Sequence, residues 1–233
     1  EHDETGVVLL LQVPRTNDKK ELAAEQMFAS LHGLLTIPTH KFLNPVVRER
    51  ISFEIAVLKK RIGFYVWVPQ YLKSFVEEQI YAQYPTVQIS EVPDYSVDPE
   101  VQYSTTLVTE MKMIAPDPLP IKTFQSFEVD PLASITATLA KFEEDEEAWI
   151  QMVVRPASSN WHKKSERYVA GLKGGGGGGI TTGLAEVLWK PPEYKDATAP
   201  KLTDYEQTRA SAAEELSQKL AFETSLKIVY RGN

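Results

Sequence analysis

The chain has 233 residues, 42% of them hydrophobic and 24% charged, with a formal net charge of −7. That length fits one large domain or two small ones, and the composition is that of a globular chain with a core to bury. The absence of cysteine excludes disulfides and thiolate metal sites, and the acidic balance weighs against a surface dominated by nucleic acid.

In chain order, Gly6 to Val13 (GVVLLLQV) reads as a strand that is apolar on both faces. Asn17 or Asp18 can cap the helix that follows, in which Ala24, Met27, Phe28, Leu31 and Leu35 recur at helical spacing and Gly33 offers a stop. Ile51 to Leu58 and Gly63 to Val68 form a hairpin about a turn at KKRIG. Pro69 opens a helix with Leu72, Phe75, Val76 and Ile80 on one face, Tyr84-Pro85 stops it, and Thr86 to Val92 is a strand. Strand, helix, strand, strand, helix, strand is the ferredoxin-like, or split βαβ, order. Tyr65 and Trp67 alternate with Phe64, Val66 and Val68, so both faces of that sheet are apolar. Tyr65 and Trp67 are therefore either covered by the second half of the chain or left as an interface.

The second half reads as a looser copy. Val101 to Ile114 is a long strand, APDPLP interrupts it, and Ile121 to Val129 extends or returns. Asp130 caps a helix with Pro131 at its first position and Leu132, Ile135, Leu139 and Phe142 as the inward stripe. Glu143 to Glu147 is a solvated turn, and in Ala148 to Pro156 the residues Ile150, Met152 and Val154 share one face. Trp161, Tyr168, Val169 and Leu172 face inward on the next helix. Thr203 and Glu206 make a capping box for another, with Ala212, Leu216 and Leu220 as its apolar side, and Ser225 to Arg231 is the last strand. The expected fold is α+β: two ferredoxin-like units packed together, residues 1–97 and 98–233, antiparallel sheets with helices on one face and a Gly-rich insertion at about 157–202.

Candidate chemistry is sparse. Gly174 to Gly179 is a run of six glycines, but Ile180 and Thr181 follow it and GK[ST] occurs nowhere, so it reads as a linker and not as a phosphate loop. His2, His32, His40 and His162 are scattered without ligand spacing, and no serine lies in G-x-S-x-G. No cofactor, metal site or catalytic set is expected. Lys163, Lys164, Arg167 and Lys173, with His162 and the aromatics Trp161 and Tyr168, are candidates for nucleic-acid or partner contact, against the reading of a solvated basic side. Leu184, Leu188 and Trp189, with Val187, form a short amphipathic stretch that docks on a neighbour or a membrane surface, or anchors a loop on the domain itself. The longest fully apolar run, Val7 to Leu11, is far short of the ~20 residues of a membrane span. No secretory signal is visible, and the first residue is Glu, so the sequence reads as a piece of something longer.

Several stretches resemble one bacterial family: VPRTNDKKELAAEQMFASLHGLL, ISFEIAVLKKRIGFYVWVPQYLKSFVEEQIYAQYPTVQI, WIQMVVRP with WHKKSERYV, and KLAFETSLKIVY. They are similar to the N-terminal domain of conjugation-type, type IV secretion ATPases. The resemblance implies a non-enzymatic accessory domain that positions a motor at the cytoplasmic face of the bacterial inner membrane. Its implied partners are the downstream ATPase motor domain and other secretion-system subunits, with homo-oligomers among the options. It carries no nucleotide site to this chain. The alternative is a nucleic-acid-binding module in DNA transfer, and a third class is a small ferredoxin-like enzyme.

If the glycine run is a linker, cutting Gly174–Gly179 to three glycines leaves the melting temperature nearly unchanged, because loop-closure entropy varies slowly with length. A loss of several kcal/mol in a denaturant melt would instead make the run structural.

Overall fold

A computed structural model of the chain describes residues 5–14, 21–37, 47–97, 103–123, 126–158, 160–173 and 203–233. In order, the elements are β1 (Gly6–Gln12), α1 (Glu21–Leu34), β2 (Thr36–Ile37), β3 (Val47–Arg48), β4 (Ile51–Leu58), β5 (Arg61–Pro69) and a 3-10 turn (Gln70–Leu72). Then come α2 (Lys73–Gln83), β6 (Gln88–Val92), a second 3-10 turn (Tyr95–Val97), β7 (Thr105–Met111), α3 (Pro131–Leu139), β8 (Glu147–Pro156), α4 (Asn160–Lys173), α5 (Asp204–Ser217) and β9 (Phe222–Gly232).

The fold is α+β. Seven strands form one antiparallel sheet in the order β6-β1-β5-β4-β8-β9-β7, with β2 and β3 as a separate two-stranded ribbon. This differs from an arrangement of two sheets packed together. The strands of the second half continue the first sheet edge to edge, through the pairing of β4 with β8 from Ile51↔Val154 to Val57↔Ala148. The cause lies in β4, which is apolar along its helix-side face and half-buried or buried throughout, so its outer ladder is protected only when another strand takes it.

The described chain divides into two compact units: Glu1–Lys112 with Lys122–Pro156 and Ala221–Asn233, and Met113–Ile121 with Ala157–Leu220. The division expected at 97/98 falls inside the first unit, because β7, β8 and β9 are strands of the same sheet as β1. The second unit contains the inserted α4 and α5.

In the first unit, the helices lie on one side of the sheet. Met27, Leu31 and Leu35 from α1 and its end, and Leu72, Val76 and Ile80 from α2 and the turn before it, pack with Leu9, Ile51, Val66, Val68 and Val154. Phe28 of α1 stacks at 5.0 Å on Phe53 of β4 and at 6.0 Å on Phe222 of β9, so α1 spans the β4–β8 junction. Ile135 and Leu139 of α3 pack on Ile55 and Val57 of β4 and Ala148 of β8, spanning the junction a second time. Asp130 accepts from the Leu132 N–H at 2.9 Å to start α3, with Pro131 behind it, as the cap signal predicts.

Several details depart from the sequence expectations. The helix α1 runs through Gly33, and the helical segment after Pro69 begins only at Lys73, because the 3-10 turn intervenes. Phe75, Leu132 and Leu220 are exposed although helical spacing places them inward, and the described part of Ile121 to Val129 is not a strand. The β4–β5 hairpin closes on Lys59 and Lys60, both at positive φ (48° and 62°), a two-residue turn that more often uses Asn-Gly. Lys60 Nζ meets Glu143 at 2.7 Å on the exposed side of that turn.

Candidate interaction surface

Strand alternation sends Trp67, Tyr65, Ser52, Glu54, Ala56, Trp149 and Gln151 to the face opposite the helices. What covers this face follows from strand order. β6 and β7 are the two edges of the sheet, so the chain between Val92 and Thr105 crosses from one edge to the other. Six strand spacings of ~4.8 Å make about 29 Å, within the ~40 Å reach of the segment Pro93 to Ser104 at ~3.3 Å per residue. Its described parts, 93–97 and 103–104, lie at the non-helical face through Tyr95 and Tyr103 and are called the strap below.

Tyr95 is the strap's anchor. Its ring lies 4.9 Å from that of Tyr65 and 5.5 Å from that of Trp149, on either side of the β4–β8 junction. Its hydroxyl donates to Glu54 Oε2. Glu54 Oε1 accepts from Ser52 Oγ at 2.7 Å and from Gln151 Nε2 at 2.7 Å. Glu54 is 6% exposed and pairs directly with Gln151 in the ladder. A buried carboxylate is tolerated when its oxygens are this fully engaged. Arg231 continues the clamp: its guanidinium donates to the Ser96 carbonyl at 2.6 Å and lies 4.8 Å over Trp149 and 6.0 Å from Tyr103. Asp94 Oδ1 accepts from the Ser96 N–H at 2.8 Å and fixes the turn itself.

The chemistry of this cluster is that of an anchor. Burial first, and then the neighbouring Glu54 charge, push the Tyr95 hydroxyl well above its ordinary range, so it stays protonated and donates at neutral pH. Tyr65 is shifted the same way by burial and by Glu147.

The candidate interface residues Tyr65 and Trp67 thus have intramolecular neighbours. Tyr65 is half-buried against Tyr95, so the cover comes from the strap and not from a packed second sheet. Trp67 is half-buried across from Val8 and Ser52, lies over Gly6, where any Cβ would overlap its ring, and has Arg50 at 5.9 Å. Leu184, Leu188 and Trp189, and the glycine run with them, lie outside the described residues.

The basic candidates belong to the second unit, where α4 and α5 pack antiparallel through Val169, Ala210 and Ala213. Ser165 Oγ donates to the Ala213 carbonyl at 2.9 Å and His162 Nδ1 to the Ser217 carbonyl at 2.6 Å. Lys163 and Arg167, one helical turn apart, are exposed on the same side of α4. Lys164 is turned to Asp117 at 3.2 Å, and Lys173 closes the helix. The capping box of Thr203 and Glu206 opens α5 as predicted. Arg209 lies between the rings of Tyr168, at 5.7 Å, and Tyr205, at 5.3 Å. An open groove of about 260 Å³ between the helices is lined by Ser165, Glu166, Val169, Ala170, Glu214 and Ser217.

The surface that sequence reading missed is β7. All seven of its residues are exposed, Leu107 at 61%, Val108 at 65% and Met111 at 56% among them. Among the described residues it pairs with β9 alone. The opposite edge, β6, is different. Ile89 packs into the helix-side core and Glu91 forms an ion pair with Lys73 at 2.6 Å, so its edge carries charge of the kind that discourages pairing.

A family model described as Domain of unknown function (DUF8128) matches residues 3–233. The chain belongs to the DUF8128 family. A search of curated proteins and a search of solved structures each found no match. Among the described residues of this DUF8128 domain no group of three or more His, Asp or Glu side chains is placed to hold a metal ion, and no helix is long and apolar enough to cross a membrane.

Replacing Tyr95 by Phe removes one of three donors to a buried carboxylate, and we expect a cost of about 1–3 kcal/mol at pH 7 in a denaturant melt. The raised Tyr95 value means that the folded state holds the phenol proton more tightly than the unfolded state, whose value is about 10. Stability is therefore retained below pH ~10 and lost as the pH rises beyond it, and the Tyr95→Phe protein loses less over that range. Parallel alkaline limbs for the two proteins would contradict the anchoring role.

Proposed function

We propose that this DUF8128 domain is a non-enzymatic docking domain that positions a type IV secretion motor at the cytoplasmic face of the bacterial inner membrane through protein–protein contacts. The observation that carries the docking reading is β7, an edge strand exposed along its whole length with three large apolar side chains outward. An edge of this kind offers a row of backbone donors and acceptors for another strand to join. The stretches that resemble the secretion-ATPase family correspond to α1 with the segment before it, to β4 through β6, and to β8, α4 and β9, and they supply the motor and the membrane as the setting.

The same reading covers the finer fold. The order β6-β1-β5-β4 is that of a split βαβ unit, and β7, α3, β8 and β9 repeat its first four elements, with α4 and α5 inserted between the last two strands. We take the sheet as two ferredoxin-like halves joined through β4 and β8, the second lacking the counterparts of α2 and β6 among the described residues.

The exposed Lys163 and Arg167 favour the second reading, contact with nucleic acid in DNA transfer. The net charge of −7 weighs against it. The two part in fluorescence anisotropy with a labelled single-stranded oligonucleotide between ~50 and ~200 mM salt. The docking reading expects no saturable binding. Tight binding that weakens steeply with salt and is lost on joint Lys163→Glu and Arg167→Glu replacement would overturn it.

A further inference from the structure

The two edges of the sheet are unequally finished. In the first half β1 has β5 on one side and β6 on the other, whereas β7, at the far edge, has only β9 among the described residues. Its sequence, Thr105 to Met111, contains one charged residue, Glu110, whose Oε1 accepts from Ser225 Oγ at 2.8 Å. On the strap side Val108 stands beside Val229, which is 8% exposed, and Val229 stands beside Trp149. That buried row runs out at Val108, which is left in water.

We propose that β7 pairs antiparallel with β7 of a second copy of this chain, about a twofold axis at Val108. The proposal deepens the docking reading by naming the partner of this edge, and it rests on that reading. In this register Val108 meets its own counterpart, Leu107 meets Thr109, Thr106 meets Glu110 and Thr105 meets Met111. The charges fit, because Glu110 lies opposite a threonine hydroxyl and no like charges face one another. The contact also closes. A twofold β7–β7 pair consumes the bare edge of both copies, whereas β7 on a neighbour's β6 would leave one β7 and one β6 edge bare and propagate. The paired sheet continues the Trp149, Val229, Val108 row into the second copy on one side and shields Leu107 on the other. A seven-residue ladder buries less than the ~800 Å² per partner of a standard interface, so the dimer is weak, formed at tens of micromolar and not at nanomolar.

Sedimentation velocity on the intact chain from about 1 to 200 μM tests this range. The expected result is a mass that rises from the 26.2 kDa monomer toward twice that value. Two substitutions at an exposed edge position report the register. Thr106→Lys faces Glu110 of the other copy twice per dimer and should tighten association several-fold. Thr106→Glu creates two like-charge pairs and should weaken it by a similar factor. Thermal melts of both variants establish that the fold is kept, and Val108→Lys, on the axis, should abolish the dimer. A monomer at every concentration overturns the proposal, as does a dimer indifferent to both Thr106 charges and to Val108→Lys. Neither result touches the docking reading, whose own failure is read by oligonucleotide binding.

Discussion

The pairing of β4 with β8 is the constraint on which the rest of the sheet depends. It joins strands separated by about ninety residues of sequence, and Glu54 opposite Gln151 lies at the middle of the ladder from Ile51 to Val57. A carboxylate buried there is costly unless its oxygens are engaged, and each donor that engages it comes from a different place. Ser52 is on the same strand, Gln151 is on the strand across the junction, and Tyr95 is on the strap. One side chain thus ties together the two halves of the sheet and the segment that connects their outer edges. The helical face repeats the logic with apolar contacts, since α1 and α3 each pack on both sides of the junction.

Much of the first half is legible in the sequence because its signals are local. The hairpin of Ile51 to Leu58 with Gly63 to Val68 and the spacing of Met27, Leu31 and Leu35 need only near neighbours, as do the caps at Asp130 and Thr203 in the second half. The junction is not legible, because which strands share a sheet depends on pairing energies between distant segments. Glu54 carried a usable hint. An acidic residue in the middle of the apolar strand ISFEIAVL must either face water or be paired, and the exposed alternative conflicts with the aromatic neighbours Tyr65 and Trp67 on the same face. Tyr95 carried none, since nothing within PDYSVD marks a residue that is to be buried against a strand forty positions earlier.

The candidate contact residues divide in the same way. Tyr65 was visible as an aromatic on a second apolar face, but its cover is a strap whose path is set by β6 and β7 lying at opposite edges. In β7 the residues Leu107, Val108 and Met111 look in sequence like an ordinary half-buried strand, and only the strand order reveals that nothing among the described residues lies beyond them. The protected edge carries a lysine–glutamate pair and the unprotected one carries valine, leucine and methionine. Native sheets blunt free edges as a rule, and the departure at β7 is where an interaction role is physically most economical.

Native-state hydrogen exchange, read strand by strand, tests the unity of the sheet most directly. Amides of β4, β5 and β8 should share the highest opening free energy, because the junction and both layers that cover it break together. A block of β8, β9 and β7 that opens several kcal/mol below β1, β5 and β4 would contradict this, and would mean that the two halves of the sheet fold as separate bodies that merely touch at Glu54 and Gln151.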